Sequence, residues 1–185
     1  MAKRALFLDR DGVINQTFMR EGKSYPPSSL EDFSFLDGVK EALILSKELG
    51  FLNIIVTNQP DVATGRQSLE KLTQIHDFIL SELPMDDIFV CLHSEADACS
   101  CRKPLPGMLF AAKERWDLDL ERSFLVGDRW RDVGAAHAGK CPCFFIDYGY
   151  KEQKPSLPYT VVSSLKEAVQ RIYEQEEKSC ESRSQ

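Results

Sequence analysis

Ala5-Leu6-Phe7-Leu8-Asp9-Arg10-Asp11-Gly12 decides how the rest of this 185-residue chain is read. Four apolar residues run without a polar break and end on two carboxylates. Such a run reads as a strand buried on both faces, the strand type of a parallel sheet. The pattern then repeats along the chain. Val39–Leu49 has helical spacing and a Gly50 stop, and Phe51–Val56 is a second apolar, β-branched run. Leu72, Ile75, His76 and Ile79 give Leu69–Leu83 a helical stripe that Pro84 ends. Ile88–Leu92, Phe124–Val126 and Cys143–Ile146 read as strands, and Gly107–Trp116 and Val133–Ala138 as helices. Ser164-x-x-Glu167 is a capping box ahead of a stripe of Leu165, Ala168, Val169 and Ile172.

Strand and helix alternate about five times, so the expected fold is α/β: a three-layer, Rossmann-like parallel sheet with helices on both faces. Residues 1–173 are expected to form one domain, and Glu174–Gln185 a polar, frayed tail. Ser24–Ser29 reads as a loop. In such a sheet ligands bind at the carboxyl ends of the strands. The places to look are therefore Asp9-Arg10-Asp11, Thr57-Asn58-Gln59, Cys91-x-His93 and Gly127-Asp128.

Composition narrows the function classes. Lys and Arg number 23 against 29 Asp and Glu, a net charge of −6, and 43% of residues are hydrophobic. That is ordinary for a globular domain and speaks against disorder. The acidic balance argues against a nucleic-acid or membrane-surface protein. No apolar run reaches the roughly 18 residues of a membrane span, and Ala5–Leu8 is too short for a signal-peptide core. The chain is expected to be cytoplasmic and monomeric. Its six cysteines are then thiols or metal ligands rather than disulfides.

Asp9 and Asp11 lie two residues apart and can converge on one cation. One carboxylate can act as nucleophile and the other as general acid and base. The plainer reading is a polar turn. Asp128, at another strand end, can supply a further carboxylate, and hard oxygen ligands of this kind favour Mg²⁺. Asp132 either supports that site or simply starts a helix. Thr57 can hold a phosphate oxygen or satisfy its own turn. Lys103 can neutralise a phosphoryl group or sit solvated at the surface.

Cys91-x-His93-x₅-Cys99-x-Cys101 places three thiols and an imidazole within eleven residues. Four such ligands with no open position suit a structural Zn²⁺ that staples the 91–101 loop. The alternative is unrelated thiols beside a surface histidine. The loop runs straight into Arg102-Lys103, so zinc would pin the two basic residues. His76, His137, Cys141, Cys143, Trp116 and Trp130 read as packing residues, and Cys180 lies in the tail.

Taken in order, Asp9-x-Asp11, Thr57, Lys103 and Gly127-Asp128-x-x-x-Asp132 resemble the four motifs of the haloacid dehalogenase-like phosphatases, across residues 5–147. The resemblance implies Asp9 as nucleophile carrying an aspartyl-phosphate and Asp11 as general acid and base. It implies Mg²⁺ held by Asp9, the backbone carbonyl of Asp11, and Asp128, with Thr57 and Lys103 on the phosphoryl group.

The zinc loop, Asp-Arg-Asp-Gly, Thr-Asn-Gln and Cys101-Arg102-Lys103-Pro104 together resemble the D-glycero-D-manno-heptose 1,7-bisphosphate 7-phosphatase and histidinol-phosphatase group. Its members lack a large cap. The resemblance implies a small phosphorylated substrate met by Asn58, Gln59, Arg102, Lys103 and Arg129. A heptose bisphosphate is the preferred substrate, on the way to nucleotide-activated heptose for cell-surface polysaccharide, and histidinol phosphate the alternative. Pro60-Asp61-Val62 departs from the small residues usual after Thr-Asn-Gln, and the zinc loop is short. A zinc-stapled domain without catalysis is a remote alternative. A nucleotide-binding Rossmann protein is a weaker alternative still, since no Gly-x-Gly-x-x-Gly follows the first strand.

Overall fold

A computed structural model describes residues 2–183, with side chains through Lys178. In chain order its elements are β1 (Arg4–Leu8), β2 (Phe18–Arg20), β3 (Lys23–Tyr25), α1 (Val39–Glu48), β4 (Phe51–Asn58), α2 (Leu69–Glu82), β5 (Asp87–Cys91), α3 (Gly107–Trp116), β6 (Phe124–Gly127), α4 (Trp130–Ala138), β7 (Cys143–Ile146), β8 (Thr160–Val162) and α5 (Leu165–Arg183). Two single-turn 3₁₀ segments lie at Leu30–Asp32 and Glu95–Asp97.

Six strands form one sheet in the order β5-β4-β1-β6-β7-β8, and every pairing is parallel. The apolar run in β1 explains its central place. Leu6 and Leu8 point to one face, where α1, α2 and α5 supply Leu43, Ile75, Ile79 and Val169. Ala5 and Phe7 point to the other, against Met108, Leu109 and Ala112 of α3 and Val133 and Ala136 of α4. The Ala5, Leu6, Phe7 and Leu8 side chains are all fully buried. Burying a large apolar side chain contributes roughly 1.5–3 kcal/mol, so a polar residue at any of them is costly. The three-layer architecture follows the expectation from sequence.

The chain order of the strands reverses at β1. β4 lies on one side of it and β6 on the other, so the carboxyl end of β1 faces a crevice at a topological switch point.

Three stretches differ from the sequence reading. Ser24 and Tyr25 belong to β3, which pairs antiparallel with β2 in a small separate hairpin. No large cap is present among the described residues. β8 went unread because three residues are too few to show a period. α5 continues to Arg183, through the stretch expected to fray. Pairs one turn apart support it, among them Arg171–Glu167 and Gln170–Glu174, and Arg4 on β1 holds Glu176 at 2.6 Å. Ser184, Gln185 and the side chain of Cys180 lie outside the described residues. No helix among the described residues is long and apolar enough to cross a membrane.

Candidate active site

Two strand ends and the start of one helix deliver the acidic residues. Asp9 follows β1, Asp128 follows β6, and Asp132 lies in the first turn of α4. One carboxylate oxygen from each lies within 4.8 Å of the other two. The backbone is shaped for this approach. At Gly12 (φ +85°) a Cβ would stand 2.1 Å from Asp128 Oδ2, and at Gly127 one would stand 2.2 Å from the Asp132 Cβ. Only glycine fits either position.

Lys103 enters the same cluster from the loop before α3. Its Nζ donates to the Val56 carbonyl at 2.8 Å and meets Asp9 Oδ1 at 2.9 Å and Asp132 Oδ1 at 2.5 Å. The Asn58 side chain grips the same residue by its backbone, accepting from Lys103 N and donating to Lys103 O, both at 3.0 Å. Burial works against the Lys103 charge, but Asp132 and Asp9 outweigh it and hold its pKa above the ordinary value.

The acids outnumber that single ammonium. Burial and then the Asp132 charge push Asp9 up to about 6, against the pull of Lys103. Burial, then Asp9 and Asp132, push Asp128 well above the usual carboxylate range. Asp128 Oδ1 is buried with no hydrogen-bond partner among the described residues. An unpartnered carboxylate oxygen beside two other acids is what a hard divalent cation satisfies, so the donor set fits Mg²⁺.

Asp11 does not join this trio. Its side chain turns to Arg10, which is fully buried and donates through Nε at 3.2 Å and Nη2 at 2.9 and 3.0 Å. Asn15 Nδ2 at 3.0 Å and Gln59 Nε2 at 2.8 Å complete its shell. The expectation that the Asp9 and Asp11 side chains converge on one cation is thus corrected. A buried cation next to Asp11 draws its carboxylate away from the acidic cluster. Thr57, read from sequence as a phosphate contact, lies at the carboxyl end of β4. It is buried beneath the pocket wall, and its Oγ1 accepts from Gln59 Nε2 at 2.9 Å.

Arg10 has a second partner. Its Nη1 lies 3.3 Å from His76 Nε2, which therefore accepts, leaving the proton on Nδ1. Burial, then the Arg10 charge, lower His76 to about 4. A group whose folded pKa falls below its unfolded value stabilises the fold at neutral pH and loses that contribution as pH drops. We expect His76 to cost on the order of 3 kcal/mol of stability between about pH 6.5 and pH 4. Urea unfolding of His76→Gln should show a shallower loss than the parent over that window; parallel curves would refute it.

The acids and Lys103 line the floor of a cleft of about 260 Å³. Asn58, Gln59, Arg102 and Arg129, all read from sequence, are in its wall, and Arg66, Arg131 and Asp61 join them. Each wall arginine already has an acidic neighbour. Arg129 pairs with Glu152, Arg131 with Glu95 at 2.5 Å, and Arg66 with Asp61 at 3.4 Å. Arg102 reaches Glu95 at 4.0 Å and donates to the His93 carbonyl at 3.1 Å.

That last bond ties the cleft to the Cys-His loop. Cys91 ends β5, beside Asn58 of β4 in the register. The Cys91, Cys99 and Cys101 sulfurs lie 3.2–3.7 Å apart, and His93 Nδ1 lies 3.2 Å from Cys101 Sγ and 3.6 Å from Cys91 Sγ. A tetrahedron with bonds of roughly 2.0–2.3 Å has edges of about 3.5–3.8 Å, so the four atoms are set close to zinc geometry. Without a cation, burial pushes the Cys91 thiol up to about 12.

The sequence reading missed Arg10, Arg131, Tyr148 and Tyr150. The signal for the tyrosines was available. Asp147-Tyr148-Gly149-Tyr150 follows β7 directly, and ligands bind at the carboxyl ends of parallel strands. The two tyrosines line a second cavity, of about 300 Å³, with Gly12 and Met19.

A family profile described as HAD-hydrolase-like matches residues 100–168. The chain is 36% identical over 150 residues to the D-glycero-beta-D-manno-heptose-1,7-bisphosphate 7-phosphatase of Photorhabdus laumondii, covering 74% of this chain and 76% of that one. To the enzyme of the same name from Vibrio cholerae it is 38% identical, covering 75% and 77%. The chain belongs to the heptose bisphosphate phosphatase family of haloacid dehalogenase-like hydrolases.

As a member of that family it is a phosphatase. It is also similar to the crystal structure of D,D-heptose 1,7-bisphosphate phosphatase from B. bronchiseptica complexed with magnesium and phosphate. The TM-score is 0.81 and the identity 28%, over 93% of this chain and 99% of that one.

Proposed function

We propose that this phosphatase is Mg²⁺-dependent and removes the 7-phosphate of D-glycero-D-manno-heptose 1,7-bisphosphate, supplying nucleotide-activated heptose for cell-surface polysaccharide. The observation that carries the catalytic reading is the Asp9–Lys103–Asp132 chain of ion pairs beside the unpartnered Asp128 oxygen, on the floor of a cleft walled by arginines. The substrate reading rests on the names of the relatives and on that wall, since a bisphosphate offers a second anion for it.

Asp9 is the nucleophile in this reading. Its Oδ1 is held by the Arg10 backbone N–H at 2.8 Å and by Lys103, which leaves Oδ2 to attack phosphorus. A bond forms between Asp9 and phosphorus as the sugar–oxygen bond to phosphorus breaks. Asp11 protonates the departing oxygen, then takes a proton from the water that attacks the aspartyl-phosphate, and free phosphate and Asp9 are regenerated. Five donor contacts, from Arg10, Asn15 and Gln59, fix the orientation of the Asp11 carboxylate.

Asp9, Asp128 and the Asp11 backbone carbonyl would hold Mg²⁺, with Asp132 in support. Bound there, the ion neutralises phosphate charge that would otherwise repel the Asp9 carboxylate. Lys103 adds a positive charge on the phosphoryl oxygens. Thr57 acts through Gln59, which lines the cleft. Arg102 and Arg129 meet the rest of the substrate. Cys91, His93, Cys99 and Cys101 would hold a structural Zn²⁺ that fixes Arg102 through the His93 carbonyl. The reading needs thiolates, so we place the protein in the cytoplasm, where thiols stay reduced. The cleft is complete within one chain, and we read the working form as a monomer.

Phosphate release with Mg²⁺ tests this directly, comparing both anomers of heptose 1,7-bisphosphate with histidinol phosphate. We expect the heptose bisphosphate to turn over far faster. Turnover of histidinol phosphate alone would keep the mechanism and overturn the substrate.

A further inference from the structure

The stretch after β7 reaches back over the acidic cluster at three points. The Tyr148 hydroxyl donates to the Gly12 carbonyl at 3.0 Å. The Tyr150 hydroxyl donates to Asp128 Oδ2 at 2.7 Å. Glu152 pairs with Arg129. The two tyrosine rings lie 5.6 Å apart, and the Arg129 guanidinium stands 5.6 Å from the centre of the Tyr150 ring. Tyr150 is only 8% exposed, and no step of the proposed reaction uses it.

A carboxylate has two equivalent oxygens and a soft terminal torsion, so its aim must be set from outside. For Asp128 the two oxygens are unlike. Oδ2 takes the Tyr150 hydroxyl and lies against Gly12, whereas Oδ1 is buried with no partner among the described residues. Two of the three anchor points also fall on residues that frame the cluster: Gly12 in the turn after Asp9, and Arg129 next to Asp128.

We infer that Tyr150 is a positioning residue for a divalent cation: its hydroxyl holds Oδ2 of Asp128 so that Oδ1 is presented to an ion shared with Asp9. The inference rests on the metal reading given above. Groups that orient a metal-ligating carboxylate contribute about 10–100-fold in metal affinity. Tyr150→Phe removes that one hydroxyl, changes no formal charge and keeps the ring that packs against Tyr148 and Arg129.

The test is a titration of metal-free full-length chain with MgCl₂, followed by the rise in unfolding temperature. It is repeated with MnCl₂, with free ion counted by electron paramagnetic resonance. We expect the midpoint for both ions to rise about tenfold or more in Tyr150→Phe. At saturating Mg²⁺ the KM for substrate should stay within about twofold of the parent, since Tyr150 touches no part of the arginine wall's charge except the face of Arg129.

Equal midpoints in parent and variant overturn the inference, even if the metal-free variant unfolds at lower temperature, because that is packing alone. A variant that no longer folds does the same. A parent chain that shows no response to either ion overturns the metal reading itself, which separates the two failures.

Discussion

Asp9→Asn abolishes phosphate release, by about 10⁴-fold or more, while the chain still folds and keeps its zinc. The amide is nearly the same shape but cannot attack phosphorus as an anion. The fold tolerates the change because Asp9 is one of three acids served by one ammonium, and burial with the Asp132 charge already pushes it up to about 6. Removing that charge leaves the Lys103–Asp132 pair and the Lys103–Val56 bond in place. Metal-free Asp9→Asn should therefore be at least as stable as the parent at pH 7, where the parent's Asp9 is forced to ionise. Phosphate release, circular dichroism and urea unfolding check the three parts. Turnover within about tenfold of the parent would remove Asp9 from the nucleophile's role.

Cys99→Ser produces the largest loss of stability we expect. A serine hydroxyl is a poor ligand for zinc at neutral pH, and the remaining three ligands no longer close the tetrahedron. Metal binding is folding free energy wherever the unfolded chain has no site. A loss of even about 4 kcal/mol in a chain of this length lowers Tm by roughly 8–16 °C. Zinc content should fall from one per chain towards zero. Activity should fall as well, with KM moving more than kcat. Arg102 is tied to the His93 carbonyl inside the loop, whereas Lys103 has its own hold from Asn58 and the two acids. Unchanged zinc content or unchanged Tm would show that the four residues are not a staple.

Much of this was legible before any coordinates. The unbroken apolar runs at Ala5–Leu8 and Ile54–Val56 dictate two buried faces, and two buried faces dictate a parallel sheet between helices. The strand-end rule then named Asp9, Asp11, Asp128 and the start of the Cys-His loop, and Lys103 stood out by its place just before a helix. What stayed hidden is set by contacts between residues far apart in sequence. Arg10 was passed over as the middle of a motif, yet its full burial and its bond to His76, 66 positions away, decide where Asp11 points. Thr57 reads as a phosphate contact at the end of β4, and only the packing of Gln59 over it shows that it is covered. Residues 174–183 look unfit for order by composition, and the anchor at Arg4 is invisible along that stretch.

The sequence by itself determined the layers, the order of the chemistry-bearing loops and the identity of most groups in the cleft, because periodicity and strand-end position are local properties of the chain. Only the tertiary structure decided which carboxylates share a centre, that Asp132 stands with Asp9 and Asp128 while the Asp11 side chain turns away, and that a tyrosine 22 positions beyond Asp128 holds its second oxygen. Those choices depend on distances of a few ångströms between segments that meet only when the sheet has formed, and on the low dielectric there, which makes each unpaired charge seek the nearest partner.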